Sequence, residues 1–276
     1  MVRFSRLALL FLVFSFFTPP TIHAYTYYGY NDTGRQWYDA EKSASSSDDD
    51  QLCWAAAASN MLAYTGWGFP ESGKFSDASD IFGYFQYYWS NAGGNMYYAV
   101  QWWFDGVNNA PSTGSWSQLE VAGGGDFYSD VSFSDVYAFE NAFVWDANTD
   151  SAMDTISQYL HSGYGVGLSI ANNRNQGHAI TVWGYESVND DYLGLWVTDS
   201  DDEYGDLIYY SVFLSGSSWH LDDYDNSDQW YIVEVHGLDQ MSMVVTPIPS
   251  AALLLGPALV LLGIWRRKRF DKPRCY

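Results

Sequence analysis

Five segments in the C-terminal half constrain this chain more than any other feature. They are GVGLSI from Gly165, HAITVWGY from His178, LGLWVTD from Leu193, DLIYYSVF from Asp206 and QWYIVEVHG from Gln229. Each is short, rich in β-branched or aromatic residues and bounded by Gly, Asn or Asp, the signature of strands joined by turns. The helical signals lie upstream. In QLCWAAAASNMLAYTGWG, four alanines, Met61 and Leu62 favour a helix that Gly66 ends. A second helix is predicted near Asp77 to Trp89. A third runs from Ser151 to His161, where Met153, Ile156, Tyr159 and Leu160 share one face. Helices first and strands second predict an α+β fold, N-terminal helices packed on a C-terminal antiparallel sheet. The stretch Tyr25 to Asp50 reads as a loop, and its closing SASSSDDD supplies aspartates suited to cap the first helix. After Trp89 the Gly- and aromatic-rich middle, as far as Asp150, reads as irregular.

The two ends read differently. Residues 1–24 carry two arginines, an apolar run from Leu7 to Phe17, a Pro pair and Ala24, and are expected to be a secretory signal peptide. Residues 246–276 carry Pro-Ile-Pro-Ser, an apolar run from Ala251 to Trp265 and then Arg266, Arg267, Lys268 and Arg269. The run is short for a bilayer span, and the basic cluster is expected to stay on the cytoplasmic side. That order of motifs resembles the PEP-CTERM sorting signals of Gram-negative bacteria. The resemblance implies processing by an exosortase-like membrane enzyme, transient membrane anchoring by the C-terminal helix, and a secreted or cell-surface location. A simple tail anchor is the alternative. Between the ends lies one domain, residues 25–245, about 220 residues and long enough for a full core.

From Tyr25 to Pro247 four cations (Arg35, Lys42, Lys74 and Arg174) face 32 carboxylates, a balance of −28. Such a body repels nucleic acid and anionic lipid, so neither is an expected partner. Of the two cysteines, Cys275 sits in the C-terminal segment, and the body holds only Cys53. An internal disulfide is therefore excluded there, and a lone thiol in an oxidising compartment is either buried or used.

Cys53 falls in the first turn of the predicted helix, where backbone N–H groups and the helix dipole favour a thiolate. Asp48, Asp49 and Asp50 oppose that by like charge, so activation calls for a cationic partner. The body offers His161, His178, His220 and His236. His161 ends a helix, His236 closes a strand and His220 lies in a Ser/Asp-rich loop, and the last two are expected at the surface. His178 follows the turn NNRNQG and opens a strand, where a base is held rigidly yet faces a cleft. If that strand pairs with the next as a hairpin, Asp199 lies near His178 as its orienting group. The acids Asp199, Asp201, Asp202, Glu203 and Asp206 also admit a calcium loop, although the terminal Glu is missing at the required spacing.

WYDAEK with Lys42, DDDQLCWAAAASNML with Cys53, GHAITVWGYE with His178 and VTDSDD with Asp199 and Asp201 resemble the Mac/IdeS family of immunoglobulin-degrading cysteine endopeptidases. The resemblance implies a papain-like cysteine peptidase fold, with Cys53 as nucleophile, His178 as base, Asp199 as its orienting group and Asp201 as a further site acid. It makes Lys42 a contributor to the oxyanion hole. A protein or peptide substrate is implied, and no metal or organic cofactor. A carbohydrate-binding or matrix protein is the competing expectation, since 13 Trp and 23 Tyr suit stacking on sugar rings. A two-carboxylate glycosidase has no pair of acids that stands out. Acyl transfer shares the first half-reaction of a thiol peptidase and is not separated from it by sequence.

Overall fold

The computed structural model describes residues 24–141, 151–189, 191–202, 205–222, 224 and 229–242. The expected leader up to residue 23, the sorting segment 246–276 with Cys275, and Glu203 lie outside the described residues. Strand β1 (Tyr25–Tyr28) and helix α1 (Gly29–Thr33) precede α2 (Cys53–Thr65), α3 (Ala78–Tyr88) and α4 (Met96–Asp105). A single turn, α5 (Phe133–Val136), leads into β2 (Tyr137–Asn141), and α6 (Ala152–His161) follows. Then come β3 (Gly165–Asn172), β4 (Gly177–Val188), β5 (Asp191–Thr198), β6 (Ile208–Ser215), β7 (Ser218–Leu221) and β8 (Trp230–Leu238). The three expected helices and five expected strands are present. In the stretches read as loop or irregular, β1, α1, α4, α5 and β2 form, and β7 forms between two expected strands. No helix among the described residues is long and apolar enough to cross a membrane.

The strands are antiparallel, and the sheet closes. β4 pairs with β3 on one side and β5 on the other, while β3, β8, β7, β6 and β5 complete the circuit. β1 extends the sheet along the second half of β4, and β2 lies along β8. Closure needs curvature, and register shifts supply it at Ser169/Ile170 between β3 and β8 and at Val182/Gly184 between β4 and β5. The inward residues Leu168, Ile170, Ile180, Val182, Leu195, Val197, Ile232 and Val235 fill the barrel, joined by Met153, Ile156 and Leu160 of α6. Each such side chain, fully buried, stabilises the fold by about 1.5–3 kcal/mol.

A second core lies outside the barrel. Every residue of α2 after Cys53 is buried, as expected of a helix covered on all sides. It packs on β3 and β4 and against α3 and α4. Two glycines let it approach the barrel closely: a Cβ at Gly165 would meet the Met61 Cα at 3.1 Å, and one at Gly167 would meet Met96 Sδ at 2.5 Å. On its far side Trp54, Phe85, Trp89 and Trp102 pack edge-on and tilted, and Trp103 stacks on Phe85. Gly66 ends α2 in the left-handed region at φ 91°, as the sequence predicts. The expected aspartate cap does not form. Leu52 occupies the cap position without a side-chain bond. Asp49 instead turns inward to accept from the Ser43 N–H and the Gln86 amide, each at 2.8 Å.

Candidate active site

Four pieces of chain meet at the N-terminal end of α2. Asn60, in the middle of that helix, accepts from the Ala40 N–H at 2.9 Å and donates to the Thr181 hydroxyl of β4 at 3.1 Å. Thr198, ending β5, receives the Trp183 indole N–H at 2.9 Å and donates to the Tyr38 carbonyl at 3.2 Å. The Lys42 N–H donates to the Ser200 carbonyl at 3.1 Å. These buried bonds fix the segment carrying Lys42, the helix start carrying Cys53, and the ends of β4 and β5 relative to one another.

The hairpin β4–β5 pairs Thr181 with Thr198 and Val188 with Asp191, so His178 and Asp199 lie at its open end. His178 Nε2 is 2.7 Å from Asp199 Oδ1. Asp199 is 4% exposed and also accepts from the Tyr224 hydroxyl at 2.5 Å and the Asp201 N–H at 3.1 Å. Burial raises the Asp199 pKa, but the bonds and charge of His178, the Tyr224 hydroxyl and the Asp201 N–H outweigh it and hold the carboxyl below its ordinary range.

The Cys53 thiol hydrogen-bonds to the His178 ring and takes the Ala179 N–H on its sulfur. With Nε2 engaged by Asp199, Nδ1 is the nitrogen left for the thiol. Burial pushes the Cys53 pKa up, yet the charge and hydrogen bond of His178, the charge of Lys42 and the Ala179 N–H together bring it below the ordinary thiol value. Burial likewise disfavours charge on His178, and the Cys53 charge with the bond and charge of Asp199 drives its pKa well above the ordinary value. Both shifts run toward the charged forms, thiolate on Cys53 and imidazolium on His178.

Lys42 is drawn to the same place. Its ammonium donates to the Asp50 carbonyl at 2.7 Å and pairs with Asp201, whose other oxygen lies 3.7 Å from His178 Nδ1. All five residues singled out in the sequence, Cys53, His178, Asp199, Lys42 and Asp201, are therefore neighbours. Asp199 and Asp201, two acids of the alternative calcium loop, are bonded to His178, Tyr224 and Lys42.

Sequence reasoning missed several groups. Tyr224 lies in an acid-rich stretch that gives no hint of its bond to Asp199. Asp39 and Glu41 bring buried carboxyl oxygens together with Asp202. Burial, with the neighbouring Glu41 charge, pushes Asp39 up to about 9, and burial pushes Glu41 up to about 7, so this pair retains a proton at neutral pH. The histidines set aside also need correction. His236, expected at the surface, is fully buried, with Nδ1 2.8 Å from the Tyr137 hydroxyl. His220, expected in a loop, stands on β7 and stacks on Phe213 at 5.2 Å. His161 ends α6 as expected and lies 3.0 Å from the Tyr185 hydroxyl.

Clefts flank the Cys53–His178 pair on two sides. One, of about 610 Å³, runs past Trp54, Asn95, Trp116, Ser169 and Glu234, and the other, of about 480 Å³, runs past Asp199, Asp201, Tyr210 and Tyr224. No curated protein matches this sequence. Residues 36–220, which carry Lys42, Cys53, His178, Asp199 and Asp201, match the Peptidase_C39 like family. The match spans most of the chain, Cys53 and His178 included: the chain belongs to the Peptidase_C39 like family.

Proposed function

We propose that this protein is an exported cysteine endopeptidase of papain-like arrangement, working through Cys53, His178 and Asp199. The observation that carries the proposal is the Cys53 thiol at the start of a buried helix, beside an imidazole that a buried carboxylate holds at 2.7 Å. Cys53 Sγ attacks the scissile carbonyl carbon as the thiolate. Lys42 and the backbone N–H of Cys53 stabilise the tetrahedral oxyanion. His178 then gives its proton to the leaving amine, an acyl-thioester remains, and water activated by His178 releases the acid. Asp199 keeps the ring oriented and balances its charge throughout, and Asp201 holds the Lys42 ammonium at the site.

Export rests on the reading of residues 1–24 as a signal peptide and of 246–276 as a PEP-CTERM-like sorting segment, which would place the domain at the cell surface. The likeness to the Mac/IdeS enzymes supports the same catalytic roles without carrying immunoglobulin as the substrate. The carbohydrate-binding alternative has less support, because Trp54, Trp89, Trp102, Trp103 and Trp183 are each at most 2% exposed and have no face for a sugar. Cys53→Ala in the full chain is expected to abolish cleavage of unfolded protein substrates while leaving the thermal midpoint in place. Cleavage unchanged in that variant would refute the proposal.

A further inference from the structure

The larger cleft beside Cys53 carries one acidic group that the reaction does not use. Glu234, on β8, pairs in register with Ser169 on β3, and Ser169 pairs with Ala179, whose N–H touches the Cys53 sulfur. Two strand spacings separate Glu234 from that N–H, about 10 Å, the reach of two to three residues of an extended peptide. Its carboxylate is held in place by three donors: the Asn95 amide at 2.8 Å, the Ser169 hydroxyl at 2.7 Å and His236 Nε2 at 3.2 Å. All three bonds end on Oε2, and among the described residues none ends on Oε1.

His236 is shared between the Tyr137 hydroxyl, 2.8 Å from Nδ1, and Glu234 and Ser169, each 3.2 Å from Nε2. Burial raises the Glu234 pKa, but His236, Ser169 and Asn95 overcome it and keep the group ionised. Among the described residues, no lysine or arginine lines this cleft. Trp116 does, and an aromatic wall suits the aliphatic stem and the charge of a basic side chain.

We propose that Glu234 is a specificity-determining residue that selects a lysine or arginine side chain close to the scissile bond. This rests on the peptidase reading above. A balance of −28 over residues 25–247 concentrates cationic substrates around the body before they reach the cleft.

The test is a panel of internally quenched peptides in which each position flanking the scissile bond is lysine, acetyl-lysine, norleucine or glutamate, cleaved by the full chain and by Glu234→Gln. At one position lysine is expected to exceed norleucine in kcat/KM by roughly tenfold or more, and acetylation to remove the gain. The ratio is expected to collapse in Glu234→Gln. The acetyl-lysine comparison needs only the wild type and still decides the matter if that variant does not fold. Equal cleavage of lysine and norleucine peptides, or a ratio unchanged in Glu234→Gln, would overturn the inference. Alkylation of Cys53 near neutral pH is measured alongside. Fast labelling with no cleavage of any basic peptide overturns the inference alone, whereas slow labelling with no cleavage overturns the peptidase reading and this inference with it.

Discussion

Replacing Asp199 with asparagine removes one charge while keeping the shape of the side chain. Asparagine's oxygen still accepts from the Tyr224 hydroxyl or the Asp201 N–H, and what disappears is the ionised partner 2.7 Å from His178 Nε2. Asp199 is 4% exposed, so solvent does not screen the change. A hydrogen bond to a charged group contributes about 1.5–3 kcal/mol, which converts to a loss of about 10- to 160-fold in kcat/KM. The direction of the pH effect is fixed by the same geometry. Asp199 raises the His178 pKa, so its loss lets the ring deprotonate at lower pH, and the alkaline limb of the kcat/KM profile moves toward acid. The assay is cleavage of an internally quenched peptide across that range, with near-ultraviolet circular dichroism to confirm the fold. An Asp199→Asn protein whose alkaline limb stays in place and whose kcat/KM lies within about threefold of wild type would refute the reasoning.

Two further outcomes follow from the site and the packing beneath it. Lys42→Met is expected to lower kcat by about 100-fold with little change in KM, since an oxyanion donor acts in the transition state; a rise of about 100-fold in KM with kcat unchanged would assign Lys42 to substrate binding. Gly167→Ala places a methyl 2.5 Å from Met96 Sδ and 2.8 Å from Met61 Sδ, and is expected to destabilise the chain by about 1–3 kcal/mol in urea unfolding. An unchanged midpoint would mean that α2 does not press on β3 as described.

Much of this architecture was legible in residue order because its signals are local. The alanine run ending at Gly66 marks α2, and the short β-branched and aromatic segments bounded by Gly, Asn or Asp mark β3 to β6 and β8. Hairpin logic over β4 and β5 was enough to bring His178 to Asp199. What escaped depends on partners distant in sequence. Barrel closure rests on β4 being long enough to serve β3, β1 and β5, which no single segment announces. The helix α4 was hidden by its aromatic residues between glycine-rich flanks, although Asn95 caps it by accepting from the Tyr97 N–H at 2.8 Å. His236 looked like a surface residue because Tyr137, 99 positions away, lies on a strand with no clear pattern of its own. Asp49 passed for a helix cap because its true partner, Gln86, belongs to another helix.

The pairing of Cys53 with His178 is tested most directly by the rate of iodoacetamide labelling at Cys53 from about pH 4 to pH 9 in wild type and His178→Ala. An activated pair labels fast well below the ordinary thiol pKa of about 8.5, and His178→Ala loses that reactivity. Slow labelling that is identical in both proteins would make Cys53 an inert core thiol and contradict the account.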